Sequence, residues 1–271
     1  MKYQDVLLVS DIDGTLLNEK LSTPEINVKA IEDFVAKGGR FAIATGRAPL
    51  SAGYVTSFIE KKTPCVVFNG GGIYDFAENK LLWQLTLHDS SVEIAKYVYD
   101  NAPFASVEIH VGSKIYLARS SPRGEVHVGQ AGTEVIRCSF DEIPTTGWNK
   151  VLFAAEPEGE IPQLVEMLKG FENSGCSLLL TSPYYYEIIP LGVSKAEAMF
   201  RLADILGVLH ENVFAIGDYF NDLEMIKAAS VSACVESSPD ELKKIADVIC
   251  PDVNGGSVAH FINKIETEYI N

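Results

Sequence analysis

Two aspartates spaced two residues apart, Asp11 and Asp13, end the apolar run of VLLVSDIDGTLL, and Gly14 follows them. Buried carboxylates are costly without a cation or hydrogen bonds, so this segment requires partners from elsewhere in the chain. Three other segments offer them: Thr45-Gly46-Arg47 after FAIA, Lys195 in PLGVSKAEAM, and Asp218, Asn221 and Asp222 in GDYFNDLEM. Each has an ordinary reading alone. Aspartates after a strand hydrogen-bond a turn, acids before a helix answer its dipole, Arg47 makes a surface ion pair, and a lysine sits in solvent. Together they match what phosphoryl transfer requires, which is positioning and neutralisation of charge. Asp11 would attack phosphorus. Asp13 would protonate the leaving oxygen and later deprotonate water. Gly14 would let the backbone turn closely about a phosphate, Thr45 would offer a hydroxyl and its backbone N–H, and Lys195 a positive charge. Asp11, Asp218 and Asp222 make the hard, oxygen-rich set that Mg²⁺ prefers.

The elements that must hold these residues are legible around them. VLLVS (6–10), FAIAT (41–45), CVVFN (65–69), VFAIG (213–217), VSACV (231–235) and ADVIC (246–250) read as strands. Helices are expected over 24–37, 48–61 and 194–206, and from Asn221 onward, with another between the last two strands. Strands apolar throughout and separated by helices predict a parallel sheet covered on both faces. The fold class is therefore α/β, a doubly wound, Rossmann-like core whose ligands sit at the carboxyl ends of strands. Between them the pattern is strand-rich (SKIYLAR, EVIRCS, KVLFAAE, CSLLLTS, YYYEIIP), with helices at 90–101 and 160–173. The expected organisation is a discontinuous core, 1–85 and 189–271, with an α+β insert over 86–188.

In order along the chain, DIDGTLL, ATGR, Lys195 and GDYFNDLEM resemble the four motifs of the haloacid dehalogenase superfamily of phosphatases. The place of the insert, with EIIPLGVSK after it, resembles the Cof-type sugar-phosphatase branch. The resemblance implies a Mg²⁺-dependent phosphatase working on small phosphorylated metabolites. It implies that Asp13 lends Mg²⁺ its backbone carbonyl, that Asn221 contacts the nucleophile or the phosphate, and that Asp222 closes the metal shell. Thr45, Gly46, Arg47 and Lys195 are the further substrate-binding candidates, with Gly14. Val235-Glu236-Ser237-Ser238 departs from the Met-Gly-Asn-Ala usual in the branch, which alters the surroundings of the site. The insert is expected to act as a cap that excludes water and selects the leaving group, with 120–134 as a substrate loop or an exposed hairpin. Transfer to a sugar hydroxyl, as in a phosphomutase, and a binding protein without turnover are the alternatives.

Composition narrows the field further. The chain has 271 residues and a formal net charge of −15, which opposes nucleic-acid binding and makes a local cation necessary for an anionic substrate. Cys65, Cys138, Cys176, Cys234 and Cys250 are scattered without C-x-x-C, as in a reduced, cytoplasmic protein. No uncharged run reaches membrane-spanning length. His88, His110, His127, His210 and His260 lack metal-ligand spacing. There is no G-x-x-x-x-G-K-[ST] loop and no G-x-G-x-x-G after the first strand. GVSKA (192–196) lacks the final glycine of a nucleophile elbow. The sequence sets no oligomeric state.

Overall fold

The computed structural model describes residues 1–57, 63–130, 132 and 134–270. In chain order the elements are β1 (Leu7–Ser10), α1 (Glu25–Ala36), β2 (Arg40–Ile43), α2 (Pro49–Val55), β3 (Cys65–Val67), β4 (Gly72–Asp75), β5 (Lys80–Gln84), α3 (Ser90–Asn101), β6 (Ser106–Val111), β7 (Lys114–Arg119), α4 (Pro122–Gly129) and β8 (Val135–Arg137). They continue as β9 (Trp148–Ala154), α5 (Glu160–Leu168), β10 (Cys176–Ser182), β11 (Tyr185–Pro190), α6 (Lys195–Leu206), β12 (Val213–Gly217), α7 (Leu223–Ala228), β13 (Val231–Val235), α8 (Asp240–Lys243), β14 (Val248–Cys250) and α9 (Ser257–Glu268). The chain forms two compact units: 1–45, 55–83 and 194–271 make the first, and 46–54 with 84–193 the second.

The first unit carries a five-stranded sheet in the order β14-β13-β12-β1-β2, with every neighbouring pair parallel. Strands β1, β12 and β13 are buried along their whole length, which is why they read as unbroken apolar runs rather than alternating ones. The chain leaves β1 toward β2 on one side and returns as β12 on the other, so the strand order reverses between β1 and β12. Such a switch point opens a crevice at the carboxyl ends of the two strands. β3 joins this sheet through one parallel bridge, Ala44 to Val66, then pairs antiparallel with β4 in a three-stranded sheet completed by β5. The β4–β5 pair is an addition to the expected layout. The helix expected over 48–61 is α2 as far as Val55, and its 58–61 portion lies outside the described residues.

The second unit is a six-stranded sheet, β10-β11-β9-β6-β7-β8, antiparallel except for β7 with β8. Val107, Ile109, Val151, Phe153 and Ile188 from one face pack with Ile94 and Val98 of α3 and Leu164 and Leu168 of α5. β6 was not among the strands read from sequence. The segment 120–134, expected as a loop or hairpin, is corrected: Pro122–Gly129 is a helix, started by Ser121, whose hydroxyl accepts the Gly124 N–H at 3.1 Å, with proline in the first turn. A Ser cap followed by proline is a strong helix start.

Candidate active site

Asp11 is the first residue past β1, and its N–H is fixed by the Ile216 carbonyl of β12 at 2.9 Å. Asp218 is the first residue past β12. The strand reversal therefore brings these two acids together without any long-range side-chain contact being needed. Asp222 arrives from the 3-10 turn Phe220–Asp222 that leads into α7. Oxygen atoms of Asp11, Asp218 and Asp222 lie within 4.8 Å of one another, the group among the described residues able to hold a metal ion.

Lys195 enters this group as the first residue of α6, whose start is set by the Ser194 hydroxyl accepting the Glu197 N–H at 3.2 Å. The spacing of Ala198, Met199, Leu202 and Ala203 buries one face of α6 and carries Lys195 down with it, to 1% exposure. Its Nζ donates to Asp11 Oδ1 at 2.5 Å and to Asp222 Oδ1 at 2.6 Å. Burial by itself would lower the Lys195 pKa, and the carboxylates of Asp11 and Asp222 outweigh it and raise it. Burial pushes the Asp11 carboxyl up to about 7 against the pull of Lys195, with Asp222 and Asp13 adding to the rise. Asp218 is held well above the ordinary carboxylate range by burial and then by Asp11 and Asp222. One buried ammonium does not balance this many carboxylates. The donor set is all oxygen, which is what a hard divalent cation takes, so the residues fit Mg²⁺.

The acids differ in how their oxygens are committed. Asp222 Oδ1 accepts from Lys195, while its Oδ2 accepts the Asp218 N–H at 2.9 Å and the Tyr219 N–H at 3.3 Å. Asp222 thus shapes the loop after β12 as well as anchoring the lysine. Asp218 Oδ1 accepts from the Thr15 hydroxyl at 3.3 Å. Thr15, the last residue of DIDGT, was not singled out from the sequence, although its place in that motif was the available signal. Asp13 is exposed and its side chain lies outside the three-acid group.

One expectation about a backbone group needs correction. The Thr45 N–H donates to the Val66 carbonyl at 3.0 Å, continuing the link from β2 to β3, so it is committed to the sheet rather than offered to a phosphate. Gly14, whose expected role is to let the backbone turn about a phosphate, gives its N–H to the Leu17 carbonyl at 2.9 Å within that turn. Glycine is required there, since φ is +88° and a Cβ would overlap Asp218 Oδ2.

The remaining candidates divide between the units. Thr45 is buried and ends a segment of the first unit, whereas Gly46 and Arg47 belong to the second. There the Gly46 carbonyl accepts from Lys150 Nζ at 3.0 Å, and Arg47 Nη1 donates to Ser51 Oγ at 3.1 Å. Asn221, in the first unit, donates through Nδ2 to Asn69 Oδ1 at 3.4 Å. In the departing segment, Ser237 is exposed and gives its N–H and hydroxyl to Asp252 Oδ1 at 2.9 and 2.7 Å, outside the acid cluster.

The second unit holds its own buried charge. On the face of its sheet opposite the apolar core, Lys150 pairs with Glu187 at 2.7 Å, and Glu108 pairs with His127 at 2.7 Å. His110, 2% exposed, has no hydrogen-bond partner at either ring nitrogen among the described residues. Burial, then Lys150 and His127, hold its pKa well below the ordinary value.

Residues 8–262 match the family model of haloacid dehalogenase-like hydrolases. A Bacillus subtilis protein, 5-amino-6-(5-phospho-D-ribitylamino)uracil phosphatase YcsE, is 27% identical over 243 residues, covering 90% of this chain and 88% of that one. A second Bacillus subtilis phosphatase of the same name, YwtE, is 27% identical over 279 residues, with 94% and 96% covered. Among solved structures, a haloacid dehalogenase-like hydrolase from Bacteroides thetaiotaomicron superposes with a TM-score of 0.83 at 24% identity, over 96% of this chain and 99% of that one. At that identity the likeness is one of fold.

Proposed function

The chain belongs to the haloacid dehalogenase-like hydrolases, in their Cof-type branch, and is a phosphatase; from that premise we propose a Mg²⁺-dependent phosphomonoesterase that uses Asp11 as nucleophile on small, sugar-phosphate-like metabolites. The observation that carries the proposal is Lys195 bridging Asp11 and Asp222 beside Asp218, a buried acid surplus at a strand switch point. A phosphoryl group is drawn to such a place only if cations outweigh the acids, in a chain of net charge −15.

In the proposed reaction an Asp11 carboxylate oxygen forms a bond to phosphorus as the ester P–O bond breaks, and the leaving oxygen takes a proton from Asp13. Asp13 then removes a proton from water, which attacks the aspartyl-phosphate and returns Asp11 and inorganic phosphate. Exposure suits Asp13 to this exchange, since it must meet both the alcohol and the water. Lys195 holds the Asp11 carboxylate in one orientation and adds positive charge at the phosphoryl group. Asn221 and the Thr45 hydroxyl are the proposed phosphoryl contacts. Asp11, Asp218 and the Asp13 backbone carbonyl would hold Mg²⁺, with Asp222 closing the shell. When bound, that ion supplies the charge neutralisation that phosphoryl transfer needs.

The insert, 86–188, is proposed to act as the cap that selects the leaving group. Its buried Lys150–Glu187 pair and the part-buried Glu108–His127 pair support a polar rather than an apolar preference. No described helix is long and apolar enough to cross a membrane. None of the five cysteines is in a disulfide among the described residues, in keeping with the proposed reducing, cytoplasmic setting.

Phosphate release tests the proposal, using a chromogenic aryl phosphate, a panel of sugar phosphates, and the phosphoribitylamino-uracil compound in the names of the two Bacillus relatives. Release with Mg²⁺ that is abolished by EDTA and by Asp11→Asn is the expected result. Release undiminished in Asp11→Asn would overturn the nucleophile. Phosphate appearing on an added sugar rather than free in solution would replace hydrolysis with transfer.

A further inference from the structure

Between β3 and β4 the chain makes a turn at Asn69-Gly70-Gly71, which the sequence leaves open between a plain turn and a substrate contact. Two successive residues that are not glycine, Phe68 and Asn69, both adopt φ of +55°. Asparagine tolerates this left-handed region better than most residues, while a bulky side chain such as Phe68 is a genuine outlier there. Both are almost wholly buried. Strain of this kind persists only where surrounding structure over-determines it, and it clusters at functional sites.

The surrounding structure consists of the motif segments themselves. The Asn69 N–H donates to the Thr45 carbonyl at 2.9 Å. Gly70, with φ of +104°, lies against the Ser194–Lys195 peptide so closely that a Cβ would overlap the Ser194 carbonyl. Asn69 Oδ1 accepts from Asn221 Nδ2 at 3.4 Å. One turn thus touches the end of β2, the start of α6 and the loop after β12.

We propose that Asn69 is a positioning residue for phosphoryl transfer, its side-chain carbonyl fixing the Asn221 carboxamide toward the phosphoryl group. This rests on the phosphatase reading and on Asn221 as a phosphoryl contact. At 3.4 Å the bond is long, and catalytic hydrogen bonds of this kind tighten as the reacting group binds. An amide acceptor is suited to the task because it takes the Asn221 N–H without bringing another carboxylate into a group already rich in them.

The test separates backbone strain from side chain. Asn69→Gly removes the carboxamide and relieves the left-handed backbone, so the fold is kept and the Tm is expected to hold or rise. With an aryl phosphate and saturating Mg²⁺, kcat is expected to fall about tenfold or more while KM changes less than about threefold. In an Asn221→Ala background the same substitution is expected to cost less than about threefold in kcat, because residues acting through one another are not additive. Wild-type kcat in Asn69→Gly would overturn the proposal, as the turn would then be structural only. An equal loss in both backgrounds would overturn it too, as Asn69 would act independently of Asn221. A wild-type chain inactive on every ester would count against the phosphatase reading instead. The same cycle is therefore also run as orthovanadate binding by calorimetry with Mg²⁺, where additive losses overturn the positioning role and non-additive ones support it.

Discussion

At the scale of single residues, the site is governed by the excess of carboxylates over the Lys195 ammonium, the one that reaches them among the described residues. Asp11 is the clearest consequence. Its carboxyl titrates at about 7 in the folded chain against an ordinary 3.8, because burial outweighs Lys195. Between those values the folded state binds a proton that the unfolded chain has released, so stability without metal falls as pH rises from about 4 to about 7. A divalent cation takes the place of the proton and removes that penalty, and at low pH protons compete with it for the carboxylates. The rise in Tm produced by Mg²⁺ relative to EDTA is accordingly expected to be several degrees larger at about pH 7.5 than at about pH 5. Scanning calorimetry at the two pH values measures this. A rise that is equal or larger at the lower pH would show that Asp11 is ionised throughout and that the surplus is balanced some other way. Asp11→Asn should flatten the pH dependence of the metal-free Tm, since the amide has no proton to exchange.

At the scale of elements, catalytic placement depends on how strand ends and helix starts are locked together. Gly70 is the tightest of these locks: with φ of +104° it lies against the carbonyl that precedes Lys195. Gly70→Ala must either move the start of α6 or distort the turn, at a cost of about 1–3 kcal/mol, and moving α6 displaces Lys195 from Asp11. Loss of most of kcat with a lowered Tm is expected, read by phosphate release and thermal unfolding; a Tm loss with kcat intact would show that α6 is not tied to the turn. The strand ends that hold the acids were legible because parallel strands buried on both faces read as apolar runs, and a run that stops at Asp11 or at Gly217-Asp218 marks a carboxyl end. The turn at Asn69-Gly70-Gly71 was legible but its strain was not, because left-handed backbone at Phe68 is imposed by its neighbours and contradicts local preference. Strand β6, SVEIHV, alternates as a strand should, yet Glu108 and His110 are buried rather than solvated, so its polar positions point away from the usual reading. In α4 two glycines disguise a helix. Gly124 is there because a Cβ would overlap the Ser106 hydroxyl of β6, a tertiary requirement invisible along the chain. The Thr45 N–H was misassigned for a related reason: a strand that continues into β3 by one bridge has no signature of its own.

At the scale of the whole molecule, two compact units with separate apolar cores divide stability from chemistry. Asp11, Lys195, Asp218 and Asp222 all lie in the first unit, whose core joins Leu7 and Val9 to Met199, Leu202 and Ala215. The core of the second unit, around Val107, Phe153 and Leu164, contains none of them. Leu164→Ala creates a cavity at a fully buried position and is expected to cost about 2–5 kcal/mol. Below the new Tm it should leave the Mg²⁺ dissociation constant within about twofold of the wild-type value, as expected for changes that act independently. Isothermal titration of Mg²⁺ into the folded variant measures this. Ile109→Val, worth about 0.5–1.5 kcal/mol, serves if the larger truncation leaves too little folded protein. A dissociation constant weakened about tenfold or more by either change would mean that the acid surplus is held in place by packing in the other unit, and that the metal site is a property of the whole chain rather than of the strand switch point between β1 and β12.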